Sequence, residues 1–111
     1  MVANVRYSEP TALVVDGLHL DLAGGAAWRS GRSIALTARE VAILRWLYRH
    51  RPRPVSRAEL LEKIWGLPAG LRTRTVDMTI SNLRRKIEAS PRPPRIVVTV
   101  KGRGYAWGIE D

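Results

Sequence analysis

The chain has no cysteine, which removes disulfides, thiolate zinc sites and cysteine nucleophiles together and fits a reducing cytoplasm. Its only histidines, His19 and His50, are too few and too scattered for a metal cluster. Acids are scarce, at 10 against 19 basic residues, and no two carboxylates or nucleophile–base pair fall together as catalysis would require. No apolar run follows a basic start at the N-terminus, and none approaches the ~20 residues of a membrane span. These absences lead to the expectation of a soluble, cytoplasmic protein that is not an enzyme and needs no metal or cofactor.

What is present is positive charge. The 111 residues carry a formal charge of +9 and a pI of about 11.2, which points to a polyanionic partner. A hydrophobic content of 45% suits one domain with a single core. The charge is not spread evenly. Residues 1–27 set Arg6 against Glu9, Asp16 and Asp21, so the excess belongs to the remainder of the chain. Uniform solubilising charge has no reason to segregate in this way.

Residues 1–11 read as a lead-in or linker remnant, and residues 12–108 as the domain. Leu13–Val15, the turn signal Asp16-Gly17, and Leu18, Leu20 and Leu22 alternating with His19 and Asp21 predict a first hairpin. Gly24-Gly25 turns the chain, and Ala27–Arg29, Ser30-Gly31 and Arg32–Leu36 predict a second, giving about four short antiparallel strands. Thr37 and Glu40 have capping-box spacing before a helix whose stripe is Val41, Leu44, Leu47 and Tyr48, widened by Ile43 and Trp46. Pro52 and Pro54 end it near His50. Ser56 and Glu59 repeat the capping box, and Leu60, Leu61, Ile64 and Trp65 form a short helix closed by Gly66. The tryptophans are expected in the core, and His19 on a polar strand face.

The organising stretch is Arg72–Ile87, RTRTVDMTISNLRRKI. Val76, Ile80, Leu83 and Ile87 make one helical seam, while Arg74, Thr75, Met78, Ser81, Asn82 and Arg85 lie opposite. This helix is expected to run to Ser90-Pro91. Ile96–Val100, the turn Lys101–Gly104 and Tyr105–Trp107 predict a terminal hairpin with a cationic tip. The glycines of that tip lack the spacing and following helix of a phosphate-binding loop. Asp77, alone among cations, is suited to brace arginines or to accept from a cytosine amine.

Two helices, a loop and a cationic helix have the order of a helix-turn-helix, and the hairpin that follows has the place of a wing. The major groove, about 12 Å wide, admits a helix, and the minor groove, about 6 Å wide, admits an extended arginine or lysine. The rival reading is a winged-helix protein-interaction module whose basic face docks an acidic partner.

Ordered motifs then carry a resemblance across residues 12–108. Leu36–Glu40 through Leu44, Val55–Leu61, Ile64–Gly66, Arg74–Ile80 with Leu83–Lys86, and Thr99–Tyr105 are similar to the winged-helix effector domain of OmpR/PhoB-type response regulators of two-component systems. The resemblance implies an α+β fold: an N-terminal four-stranded antiparallel sheet, three helices and a C-terminal β-hairpin wing. It implies sequence-specific binding to double-stranded DNA by a transcription regulator, with tandem dimers on direct-repeat sites. Helix 74–87 would lie in the major groove and wing 96–107 at the minor groove.

By position, Met78, Ser81 and Asn82 would face base edges, Met78 meeting a thymine methyl and Asn82 an adenine. Arg74, Thr75, Arg84 and Tyr105 would hold phosphates, with Trp65 near the backbone and basic Arg72 and Arg85 beside them. On the wing, Thr99, Lys101 and Arg103 are candidates, Lys101 for the minor groove. The resemblance also implies that the loop matching 67–73 can contact RNA polymerase. Departures are visible: Lys101 stands where arginine is usual, Asn82 where many members carry arginine, and loop 67–73 has Arg72 and no acid.

Overall fold

A computed structural model describes residues 12–109; the lead-in at residues 1–11 lies outside the described residues. The order of elements is β1 (Ala12–Val15), β2 (Leu18–Asp21), β3 (Ala26–Arg29), β4 (Arg32–Ile34), α1 (Ala38–Arg49), α2 (Arg57–Trp65), α3 (Thr75–Ile87), β5 (Val97–Val100) and β6 (Gly104–Trp107). Strands β1–β4 form an antiparallel meander, and β5–β6 form a separate hairpin. This is the expected α+β winged helix.

The first two hairpin turns follow from their residues. Asp16 and Gly17 have φ of 49° and 81°, and Ser30 and Gly31 have 53° and 76°. Positive φ at both central positions gives a two-residue turn whose twist matches that of the strands it joins. The register pairs Leu13 with Leu20, Leu20 with Ala27 and Ala27 with Ile34, so one row faces inward. Leu18, Leu20, Leu22 and Ala27 are buried there with Ile43, Leu44 and Leu47 of α1. The opposite row is open. His19 stacks on Trp28 at 5.6 Å, and Trp28 is 39% exposed, so it is a surface residue and not the core residue expected. Strand alternation places it there, since its neighbours Ala27 and Arg29 occupy the other face.

Thr37 and Glu40 complete their capping box, with Thr37 Oγ1 accepting from Glu40 N and Glu40 Oε1 from Thr37 N. The second box is half made. Ser56 Oγ accepts from Glu59 N, but the Glu59 carboxylate turns away to accept from Trp46 Nε1 and Arg53. Charge-assisted bonds to a guanidinium outcompete a neutral backbone N–H. That redirection joins α2 to α1 and holds the Glu59 carboxyl below its usual range. Gly66 ends α2 in the left-handed conformation, φ 69°.

Helix α3 stops at Ile87, short of the expected Ser90-Pro91. Glu88 leaves the helix because its buried carboxylate accepts from the backbone N–H groups of Arg95, Ile96 and Val97. An ion collecting several N–H donors offsets its desolvation, and here it also fixes where β5 begins. The inner seam Val76, Ile80, Leu83 and Ile87 is buried as its spacing predicts.

Candidate nucleic-acid interface

Helix α3 and the hairpin β5–β6 are joined by polar side chains into one unit. Arg84, on the α3 flank, donates from Nε to the Val97 carbonyl and from Nη2 to Thr99 Oγ1, at 2.8 and 2.9 Å. Burial of its guanidinium lowers the Arg84 pKa, although it stays a cation at any physiological pH. Tyr105 on β6 donates its hydroxyl to Asp77 of α3, and Arg57 at the start of α2 donates to the same carboxylate. Arg57 and Arg84 also lie over the Tyr105 ring, at 5.3 and 5.4 Å from its centroid. Three residues from α2 and α3, Arg57, Asp77 and Arg84, thus converge around one phenol.

The electrostatics of the cluster are internally consistent. Burial acts to raise the Asp77 pKa, but the bonds from Tyr105 and Arg57 and the charges of Arg57 and Arg74 outweigh it and hold the group below its ordinary value. Burial and the Asp77 carboxylate push the Tyr105 phenol up. Asp77 therefore braces Arg57 and Tyr105, the first of the two roles open to it from sequence.

Backbone contact completes the joint. Val55 and Tyr105 exchange both backbone hydrogen bonds, at 2.7 and 2.9 Å, so β6 gains a second backbone partner near the hairpin turn. Gly104 makes this approach possible: a Cβ there would lie 2.0 Å from the Val55 carbonyl oxygen, and its φ is +121°.

Outside this joint lie the remaining candidates, most of them facing solvent. Met78 is 61% exposed, and Ser81, Asn82 and Arg85 are exposed beside it along one face of α3. Arg85 donates to the side-chain oxygens of both Ser81 and Asn82. Arg72 and Arg74 stand exposed at the start of α3, where the helix dipole adds positive potential. Thr75 pairs its hydroxyl with Thr73, which also accepts from Thr75 N, so Thr73 supplies the cap that Arg74 does not. At the wing tip, Lys101 and Arg103 are exposed, with Gly102 between them in a turn closed by Arg103 N to Val100 O. Among the described residues, the side chains of Arg72, Arg74, Lys101 and Arg103 make no hydrogen bond or ion pair. Trp65 is half-buried at the end of α2, with the Arg39 guanidinium 5.3 Å from its ring centroid.

The candidate residues therefore separate into two groups. Met78, Ser81, Asn82, Arg85, Arg72, Arg74, Lys101 and Arg103 face solvent on α3 and the wing tip. Arg84, Thr99 and Tyr105 are occupied in the joint, and the Tyr105 proton in particular is committed to Asp77. Sequence reasoning missed Arg57 as a partner of Asp77 across 20 positions. It also missed the Arg85 clamp, although spacings of three and four residues on a helix signal such pairs. Arg92 lines an open cleft of about 440 Å³ beside α3, together with Ser81, Arg84, Arg85, Ser90 and Pro91.

Comparison with known proteins settles the family. Residues 31–107 match the family model described as "Transcriptional regulatory protein, C terminal". The chain belongs to this family. It is 39% identical over 103 residues to the transcriptional regulatory protein PrrA of Mycobacterium leprae, covering 93% of this chain and 44% of that protein. Among solved structures, the response regulator DrrB of Thermotoga maritima, an OmpR/PhoB homologue, superimposes with a TM-score of 0.77 at 31% identity, over 89% of this chain and 45% of that one. The DNA-binding domain of Klebsiella pneumoniae RstA, solved in complex with its RstA box, gives 0.74 at 26% identity, over 87% and 96%. The chain spans less than half the length of the regulators it matches.

Proposed function

We propose that this chain is the DNA-binding part of a transcription regulator, with α3 in the major groove and the tip of the β5–β6 hairpin at the minor groove. The observation that carries the reading is the division of its cations. Those at the start of α3 and at the wing tip are free and flank an exposed, hydrogen-bonding helix face, while Arg57 and Arg84 are spent on fixing helix and wing together. The RstA domain, bound to its DNA box, has the same fold.

On this reading Met78, Ser81 and Asn82, with Arg85, face the bases, and Arg72, Arg74, Lys101 and Arg103 meet the phosphates or the minor groove. Thr75 and Trp65 stand beside the backbone. Arg84, Thr99 and Tyr105 act mainly by positioning the wing against α3. The site is a direct repeat occupied by two copies in tandem, and the exposed Leu67 and Leu71 of loop 67–73 give RNA polymerase an apolar contact in place of an acidic one. The protein works in the cytoplasm and carries out no catalysis. Among the described residues, no helix is long and apolar enough to cross a membrane.

The test is selection from random double-stranded DNA. A direct repeat with half-sites about one helical turn apart is the expected winner. Enrichment of no sequence, with capture of an acidic protein from nuclease-treated extract, would replace this reading with the protein-docking one.

A further inference from the structure

The reading face of α3 carries a clamp. Arg85 lies three residues after Asn82 and four after Ser81, so all three side chains share one exposed strip of the helix. Arg85 Nη2 donates to Asn82 Oδ1, and Nη1 donates to Ser81 Oγ at 3.3 Å. We propose that Arg85 sets the base preference of this helix by engaging both oxygens, so that Ser81 and Asn82 act toward DNA as donors and the helix selects guanine.

The argument is one of donors and acceptors, and it rests on the DNA-binding reading above. An asparagine reads adenine in two steps at once, donating to N7 and accepting from the N6 amine through its side-chain oxygen. Here that oxygen is held by a guanidinium. Its second lone pair remains, but the adenine amine would bring positive hydrogens against an arginine cation. The Asn82 amide nitrogen is directed the other way with two free N–H groups. Ser81 Oγ accepts from Arg85 and keeps its own hydrogen to donate. Guanine offers two adjacent acceptors, N7 and O6, on its major-groove edge and no amine beside them. The clamped face and guanine are complementary, and the clamped face and adenine are not. This revises the adenine expected for Asn82 from residue type alone.

Both oxygens are bridged by one planar fork, which lysine cannot replicate with a point charge. Ser81 and Asn82 are short, and each supplies an oxygen within reach of the Arg85 guanidinium.

Parallel selections from random duplex DNA with the wild type, Asn82→Ala and Arg85→Met provide the test. Methionine keeps a long helix-compatible stem without donors. The position at which Asn82→Ala loses its preference is the one Asn82 reads. At that position the wild type is expected to prefer guanine over adenine by about tenfold. Arg85→Met is expected to shift that ratio toward adenine by a similar factor. Since the readout is a ratio within one protein, the uniform affinity lost with the Arg85 charge does not enter it. Circular dichroism melts of the variants, expected to match the wild type because both side chains are exposed, check the fold separately.

Adenine at that position in the wild type, an unchanged guanine preference in Arg85→Met, or no position sensitive to Asn82→Ala would each overturn the clamp while leaving DNA binding standing. Failure of the wild type to enrich any duplex would overturn the DNA-binding reading, and the clamp with it.

Discussion

The two β regions of this domain are both antiparallel and both built on tight turns, yet they are held in place differently. The N-terminal sheet is attached mainly by apolar burial: Leu18, Leu20, Leu22 and Ala27 press on α1, with Arg45 donating to the Leu22 and Ala23 carbonyls and Arg29 to that of Ile87, and its β3–β4 turn stands open in solvent. The C-terminal hairpin also buries Val97 and Trp107, but its orientation is fixed by polar contacts to Arg84, Asp77, Glu88 and Val55. Burial is non-directional and tolerates small shifts; hydrogen bonds fix distance and angle. A scaffold needs the first kind of attachment. A wing that must keep one setting against a recognition helix needs the second.

Four substitutions sharpen this contrast. The largest effect is expected at Gly104. Gly104→Ala drives a Cβ into the Val55 carbonyl at positive φ and should cost about 4 kcal/mol or more of stability. Gly31→Ala in the β3–β4 turn, where nothing lies within 4 Å, should cost only about 1 kcal/mol for its φ. Urea denaturation of the pair measures the difference, and equal losses would remove the distinction between the two regions. Next comes Leu20→Ala in the sheet, which should cost about 3 kcal/mol by leaving a cavity against α1. Its folded fraction should bind DNA as the wild type does, because nothing on α3 or the wing rests on that side chain.

Asp77→Asn is a smaller and pH-dependent case. The folded-state pKa of Asp77 lies below its ordinary 3.8, so its contribution is present above that value and is lost as pH falls through the depressed one. Thermal melts of the wild type should therefore lose stability on acidification below about pH 4, and the Asn variant should lose less over the same window. Parallel pH profiles for the two proteins would show that Asp77 does not brace Arg57 and Tyr105 through its charge.

Much of this was legible from sequence where the signal is local. Asp16-Gly17 and Ser30-Gly31 declare their turns because few other residues accept positive φ in succession. Thr37 and Glu40 declare a helix start, and the α3 seam declares its buried side. The errors arose where a distant group competed for a local one. Glu59 has capping-box spacing, but Arg53 and Trp46 take its carboxylate. Glu88 has no reason to leave α3 until the segment entering β5, Arg95 to Val97, offers it three N–H groups. Trp28 is hydrophobic by composition, and only strand register sends it outward.

The site was legible as a set of residues and less so as a division of labour. Spacing placed Met78, Ser81, Asn82 and Arg85 on one face of α3, where they stand. It gave no means to tell that Arg84 and Tyr105 are engaged within the fold while Arg74 and Lys101 are not. That depends on the acceptors β5 carries past Arg84 and on the carboxylate α3 sets against Tyr105.

The most direct test of the central claim, that α3 and the wing tip form the DNA-binding surface and the N-terminal sheet does not, is a salt titration of affinity for the selected duplex. It would compare the wild type, the double variant Lys101→Ala/Arg103→Ala, and Arg32→Ala in the exposed β3–β4 hairpin. The account predicts a log–log slope that becomes shallower by about two for the wing-tip pair and is unchanged for Arg32→Ala. A slope unchanged for the wing-tip pair, or reduced as much by Arg32→Ala as by one wing cation, would contradict it.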